Sequence, residues 1–304
     1  MDHEDSSSFT WTLQAEARRG WISELVWAPN GQALAIAGAT GIALFAIRQG
    51  QLQLRAVLEG HAGPVKGIAV SPDGALLASA GADRSIRLWD LKRGAAVRQL
   101  SGHEGSVERV AFTLDGALLA SAGADKSLRV HDVATGAGLN VIYSHEDELR
   151  ALCFCESGRL LVSGGRDRRV CVHDVAGGRL LRSEQHADWL RVLLAMPGDD
   201  GRLLSASRDG DLRLRPCREG WPLQSLACGH GGLDCAAVAP DGRTLATGGR
   251  DCQIRLWRVE SGTQIYALVA HERPVLTLAF SPDGRWLASG GGDNRLRLWR
   301  RAAH

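Results

Sequence analysis

The chain has 304 residues, a formal net charge of +2 and 44% hydrophobic residues, enough for a sizeable core without a strong electrostatic bias. Near-neutrality argues against bulk DNA as a partner unless charge is unevenly spread. No apolar run approaches the roughly 20 residues needed to span a bilayer, so no membrane association is expected.

The chain opens on a polar, acidic tail at 1–8, MDHEDSSS, which is not a secretory leader. Residues 9–16 follow, where Phe9-Thr10-Trp11-Thr12-Leu13-Gln14 alternates apolar and polar with period 2, as a half-buried strand does. From there the sequence repeats. Glycines at 31, 74, 116, 158, 201, 242 and 284 mark equivalent turns and set a period of about 42 residues. Each unit closes at an aromatic-like position: Phe45, Trp89, His131, His173, Arg215, Trp257 and Trp299. Six units open on a histidine, at 61, 103, 145, 186, 230 and 271, while the first has Arg18 there.

Runs such as Val65–Val70, 76–79 and 86–89 are short, rich in Leu and β-branched residues, and bounded by Gly, Pro and Asp. They read as strands, and no long window keeps a 3.6-residue period. A fourth strand is predicted in each connector: Gln51–Leu58, Ala95–Leu100, 137–142, 179–184, 222–227 and Gln264–Val269. Four strands per repeat predict a radial array of antiparallel sheets, closed into a ring so that no long edge stays bare. Six connectors serve seven units, so the last sheet lacks a strand. The 9–16 strand is predicted to supply it by pairing with 296–299, and deleting 1–16 is expected to lower the melting temperature of the whole protein.

The period, the Gly-His opening and the Trp-Asp closing at Trp89-Asp90 resemble the WD40 repeat family of seven-bladed β-propellers. The resemblance covers 9–301, with blades starting near 21, 64, 106, 148, 189, 232 and 274 and a short tail at 302–304. It implies an all-β fold and a buried hydrogen-bond network in each blade. Position by position the network is His61-Ser79-Asp83-Trp89, His103-Ser121-Asp125, His145-Ser163-Asp167, His186-Ser205-Asp209, His230-Thr247-Asp251-Trp257 and His271-Ser289-Asp293-Trp299. Alone, a His-Ser-Asp set invites a hydrolase reading. Repeated six times it reads as architecture, because a triad needs one activated nucleophile, an oxyanion hole and a substrate pocket. No catalytic residue is therefore expected.

Departures from the repeat carry their own expectations. His131 and His173 keep an N–H to donate, so their networks survive in altered form. Arg215 is expected not to fit a Trp-shaped slot, since its charge is costly to bury, which makes blade five one of the looser blades. Blade one, with Ile36 and Phe45 at network positions and a shortened turn at Ala39-Thr40-Gly41, must rely on apolar packing that includes Trp27. Arginines at 87, 129, 213, 255 and 297 recur in the third strand and suggest a repeated structural role. Trp286 reads as packing between blades.

The resemblance further implies that partners bind on the face around the central channel. Carried over, its contact positions include Trp21, Lys66, Arg150, Arg166, Trp189, Arg191, Arg208 and Arg250. Five arginines on three consecutive blades around a Trp suit a carboxylate or phosphate, with an aromatic anchor of the kind found at binding hot spots. In an Arg-rich chain, Glu148, Asp211 or Asp234 could equally pair with them as exposed ion pairs of little consequence. The leading expectation is a non-enzymatic scaffold, monomeric on its own and part of a larger complex, binding a protein or peptide with an acidic or phosphorylated segment on blades four to six. RNA or ribonucleoprotein recognition by the same arginines is the alternative.

The seven cysteines, at 153, 155, 171, 217, 228, 235 and 252, fall mostly in predicted strands, and a reduced, cytoplasmic protein is expected. Cys153-Phe154-Cys155 lacks the spacing and the neighbouring histidines of a zinc clip, so no metal or cofactor is expected. No accessory domain is expected either.

Overall fold

The computed structural model describes residues 9–39, 41–198, 201–217 and 224–303. The acidic tail at 1–8, Thr40 of the shortened turn, and the start of the fourth strand predicted at 222–227 lie outside the described residues. Seven four-stranded antiparallel sheets follow one another along the chain, six of them ordered inner to outer as the sequence runs and the seventh taking its outer strand from the N-terminus. The inner strands are Ile22–Trp27, Val65–Val70, Val107–Phe112, Leu149–Cys155, Leu190–Ala195, Leu233–Val238 and Val275–Phe280.

Every blade is covered by a neighbour on both faces, so its second strand cannot alternate apolar with polar. Leu76–Gly81 and Leu118–Gly123 both read LLASAG, and all but the first residue of each are buried. Small residues at these positions let the blades approach closely. Seven apolar clusters result, one between each pair of adjacent blades. Their pooled burial, rather than any one centre, supplies the hydrophobic stabilisation.

The ring closes with the N-terminal strand Phe9–Arg18, which pairs antiparallel with Arg295–Ala303. Leu13 stands opposite Trp299 and Glu16 opposite Arg297. Trp11 is buried and meets Phe280 edge-on, with ring centroids 5.9 Å apart. Glu16 accepts from Arg297 Nε at 2.8 Å and from Arg295 Nη1 at 2.9 Å, so charge adds to the ladder. Blade one then packs on blade seven: Trp27 Nε1 donates to the carbonyl of Ala279 at 3.1 Å, and Trp286 joins the cluster that holds Ile36 and Phe45. Apolar packing thus replaces the missing network of blade one, with Arg19 5.2 Å from the Phe45 ring centroid.

Antiparallel succession puts the His-bearing connectors and the Asp-bearing turns at one end of the barrel of blades, and the Pro-Asp-Gly turns at the other. At the first end every inner strand carries an irregularity that skips one residue against its neighbour. The skipped residues are Ser23, Lys66, Glu108, Arg150, Arg191, Asp234 and Leu276. A bulge re-aims its extra side chain, and here it sets seven of them around the channel mouth.

Candidate functional site

Blade two shows the network in full. Trp89 Nε1 donates to Ser79 Oγ at 2.8 Å, His61 Nε2 lies 2.8 Å from the same oxygen, and His61 Nδ1 lies 3.0 Å from Asp83. Blades six and seven match it through Thr247 and Trp257, and through Ser289 and Trp299. In blade three, His103 lies 2.8 Å from Ser121 Oγ and about as near Asp125 as His61 is to Asp83, at 2.9 Å. A Cβ on Gly81 would lie 2.3 Å from both His61 Nδ1 and Asp83 Oδ1, so the His–Asp contact requires glycine beside it. The hydroxyl residues Ser79, Ser121, Ser163, Ser205, Thr247 and Ser289 are fully buried. Each is already engaged by a histidine.

Asp83 is held down at about 2, because burial, which opposes its charge, is outweighed by bonds from Ser85, the Ala62 amide and His61. His145, bonded to Asp167 at 2.8 Å, is the exception among the histidines. Burial opposes its charge, yet Asp167 and the neighbouring Cys171 raise it to about 9. Cys171 stands where five other blades carry the third-strand arginine. Among those arginines, Arg213, Arg255 and Arg297 donate to the carbonyls of Gln185, Cys228 and Ala270, tying the third strand to the connector before the blade's histidine.

Three positions substitute the closing Trp, each in its own way. His131 makes no bond to Ser121 and its Nδ1 has no partner, whereas His173 turns away from Ser163 and meets Ser144 Oγ at 2.9 Å. Burial pushes both rings down to about 4. Arg215, expected outside the Trp slot, lies inside it at 4% exposure. It donates to Ser205 Oγ at 2.8 Å, as Trp89 does to Ser79, and its charge is met by Glu184, which Arg182 also engages. An acid on the outer strand of blade four makes the burial tolerable. Blade five also has Ser207 where blade two has Gly81. Its hydroxyl stands between His186 and Asp209, 3.1 Å from the ring and 2.6 Å from the carboxylate, so the direct contact is replaced by a relay.

The eight carried-over contact residues all immediately precede an inner strand, sit in its bulge or precede a network aspartate, and so gather at the connector end. They are not equivalent. Arg150 is gripped by Glu108, at 2.7 Å, and by Glu148. Arg191 Nη2 reaches Asp234 of the next blade at 2.7 Å. Glu148 also lies 3.4 Å from Arg166. The third acid weighed from sequence, Asp211, pairs instead with Arg213. Glu108 is a partner that sequence reasoning missed; its place in the bulge beside Arg150 is the signal.

Around Trp189 the pattern changes. The guanidinium carbons of Arg166 and Arg208 lie 4.9 and 5.2 Å from its ring centroid. Arg208 and Arg250 carry no ion pair among the described residues. Across the ring, Lys66 lies 5.0 Å from the centroid of Trp21, which is 39% exposed. A shallow polar cleft lined by Glu146, Asp147, Arg166, Arg168, Arg169 and Gln185 adjoins this arc. None of the seven cysteines forms a disulfide, and no helix among the described residues is long and apolar enough to cross a membrane.

Comparison with known proteins matches this geometry. The chain is 40% identical over 86 residues to the small ribosomal subunit protein RACK1y of Oryza sativa subsp. japonica, 28% of this chain and 26% of that protein. It is 34% identical over 93 residues to RACK1z of Arabidopsis thaliana, 30% and 28% respectively. With the WD repeat-containing protein SL1-17 of Schistosoma mansoni it shares 33% over 87 residues, 28% and 27%. The chain thus aligns with just over a quarter of the length of these relatives. The WD domain, G-beta repeat model matches 52–90, 94–132, 137–174, 220–258 and 262–300, passing over the inner strands of the two blades that depart furthest from the repeat. With well over half of its length matched and all seven blades in place, the chain belongs to the WD domain, G-beta repeat family.

Proposed function

We propose that this propeller is a non-enzymatic scaffold that binds a protein or peptide on its connector face, with an acidic or phosphorylated segment seated on blades four to six. The observation that carries the reading is Trp189 with two guanidinium groups over its ring, at the face where the inner-strand bulges and the turns before the network aspartates gather. A half-buried aromatic gives a rigid anchor and arginine gives bidentate anion recognition. The sixfold repetition of the His-Ser-Asp set favours binding over chemistry, and cysteines that form no disulfide together with the ribosomal relatives favour a cytoplasmic setting.

A second reading, RNA or ribonucleoprotein binding through the same face, draws on the relatives named as small ribosomal subunit proteins and on arginines stacked beside an aromatic. The carboxylates interleaved on the rim, Glu108, Glu148 and Asp234, weigh against a polyanionic ligand. Capture from native lysate decides. Trp189→Ala with Arg208→Glu is expected to lose a partner that wild type and an opposite-face variant, Lys92→Glu with Arg93→Glu, both retain. Equal capture by all three would overturn the reading. Retention that collapses on nuclease treatment would favour the second.

A further inference from the structure

Resting on that reading, the rim separates two kinds of arginine. Arg166, Arg208 and Arg250 each precede the network aspartate of their blade, where the other blades have Ala39, Ala82, Ala124 and Gly292. Each is fixed by the same turn, its amide donating to the carbonyl of Glu148, Trp189 or Gly232 at 2.9–3.0 Å. One position on three successive blades therefore places three cations in an arc. Arg208 O also accepts from the Leu233 amide at 2.9 Å, which ties the blade-five turn to the start of the blade-six inner strand. That strand is preceded by Gly232, and a side chain there would collide with Arg250, since its Cβ would lie 2.7 Å from Arg250 Cδ. Glycine at that point lets Arg250 lie along the rim.

The electrostatics of the arc are unresolved within the chain. Two guanidinium groups converge on Trp189, yet among the described residues a single carboxylate, Glu148, lies within ion-pair distance of any of the three, and it is shared with Arg150. Like charges so placed repel unless an anion joins them. The bulge arginines are held differently: Arg150 is paired with both Glu108 and Glu148, and Arg191 with Asp234 through Nη2 while its Nε has no partner among the described residues, and two of these pairs cross from one blade to the next. Releasing either to a ligand would strand a carboxylate, since Glu108 is only 5% exposed.

We propose that Arg166, Arg208 and Arg250, with Trp189 between the first two, read an extended peptide carrying successive carboxylate or phosphate groups laid along the rim from blade four to blade six, while Arg150 and Arg191 brace the blades and touch no anion. The probes are fluorescein-labelled peptides: oligoglutamate, a serine-rich peptide, and that peptide phosphorylated. Anisotropy titrations compare wild type with the outer variant Arg208→Glu/Arg250→Glu and the inner variant Arg191→Gln, melting temperatures checking that each is folded. Arg191→Lys replaces the inner variant if Arg191→Gln does not fold.

Wild type is expected to bind oligoglutamate, the phosphopeptide or both in preference to the unmodified peptide. The outer variant is expected to lose about tenfold or more, the scale of one or two charge-assisted bonds, and the inner variant to stay within about twofold. Preference between the two anionic peptides identifies the source of the charge. An inner variant as damaging as the outer one, or an outer variant without effect while wild type binds, overturns this assignment and leaves the broader reading standing. Failure of wild type to bind either anionic peptide removes both. Tighter binding of an oligouridylate with a steep salt dependence would replace the peptide with RNA.

Discussion

In blade two, Trp89 donates to Ser79 at 2.8 Å and His61 meets Asp83 directly at 3.0 Å. In blade five, the Trp station holds Arg215 and the glycine station holds Ser207, so the same path runs through a buried ion pair and a hydroxyl relay. Both solutions satisfy a buried serine, but they stake different things. Blade two risks the loss of one neutral hydrogen bond. Blade five has placed a charge in the interior that only Glu184 and Ser205 make tolerable. The same blade presents Trp189 and Arg208 on the rim where blade two presents Pro64 and Ala82. In blade five, departure from the repeat inside the blade thus coincides with departure on its rim.

The largest break in this comparison is Arg215→Ala, which empties the Trp-shaped slot, leaves Ser205 without its donor and removes one of the two cations on Glu184, and is expected to cost about 3 kcal/mol in urea unfolding. Arg215→Trp combined with Glu184→Gln should recover most of that loss, because an apolar ring in place of a buried pair is often neutral or better. Next comes Trp89→Phe in blade two, which keeps the ring and removes the N–H. A loss of about 1–2 kcal/mol is expected, and a loss as large as that of Arg215→Ala would erase the distinction between the two blades.

A smaller effect sharpens the relay. Burial, reinforced by the charge of Arg213, pushes His186 down to about 4 from an ordinary 6.5. Because the folded value is the lower one, the neutral ring stabilises the fold fully above pH 6.5, and this contribution is lost as pH falls toward about 4. Ser207→Gly should restore direct contact with Asp209 and raise the His186 value, as followed by NMR titration. Stability at neutral pH should change by less than about 1 kcal/mol, while acid sensitivity between pH 6.5 and 4 weakens. An unmoved titration would show that Ser207 is not what separates the pair. Smallest of all, Arg208→Glu should alter stability by less than about 0.5 kcal/mol, since no ion pair is broken, whereas Arg150→Glu should cost measurably more by repelling Glu108.

Much of this was legible in the chain. The glycine turns, the six histidines and the alternation at 9–16 carried the seven blades and the closing strand, because ring closure leaves one strand short and only that segment can fill it. The interior of blade five was not legible. Arg215 looks excluded from the core until Glu184, an unremarkable polar residue on an exposed fourth strand, is placed beside it. Ser207 was the overlooked signal, a side chain at a station where a Cβ collides with the network. On the rim, the eight residues were legible as a set, but their division was not. Whether an arginine is free or braced depends on a bulge that brings Glu108 to Arg150 across a blade boundary, and strand periodicity does not encode that.

Hydrogen–deuterium exchange of the wild-type protein, with and without saturating oligoglutamate or phosphopeptide, tests the central claim most directly. The account predicts slowed exchange in the turns around Arg166, Arg208 and Arg250 and at Trp189, with blades one to three unchanged. Protection confined to the opposite-face turns, around Asp73 and Asp241, or to the rim of blades one to three, would contradict it.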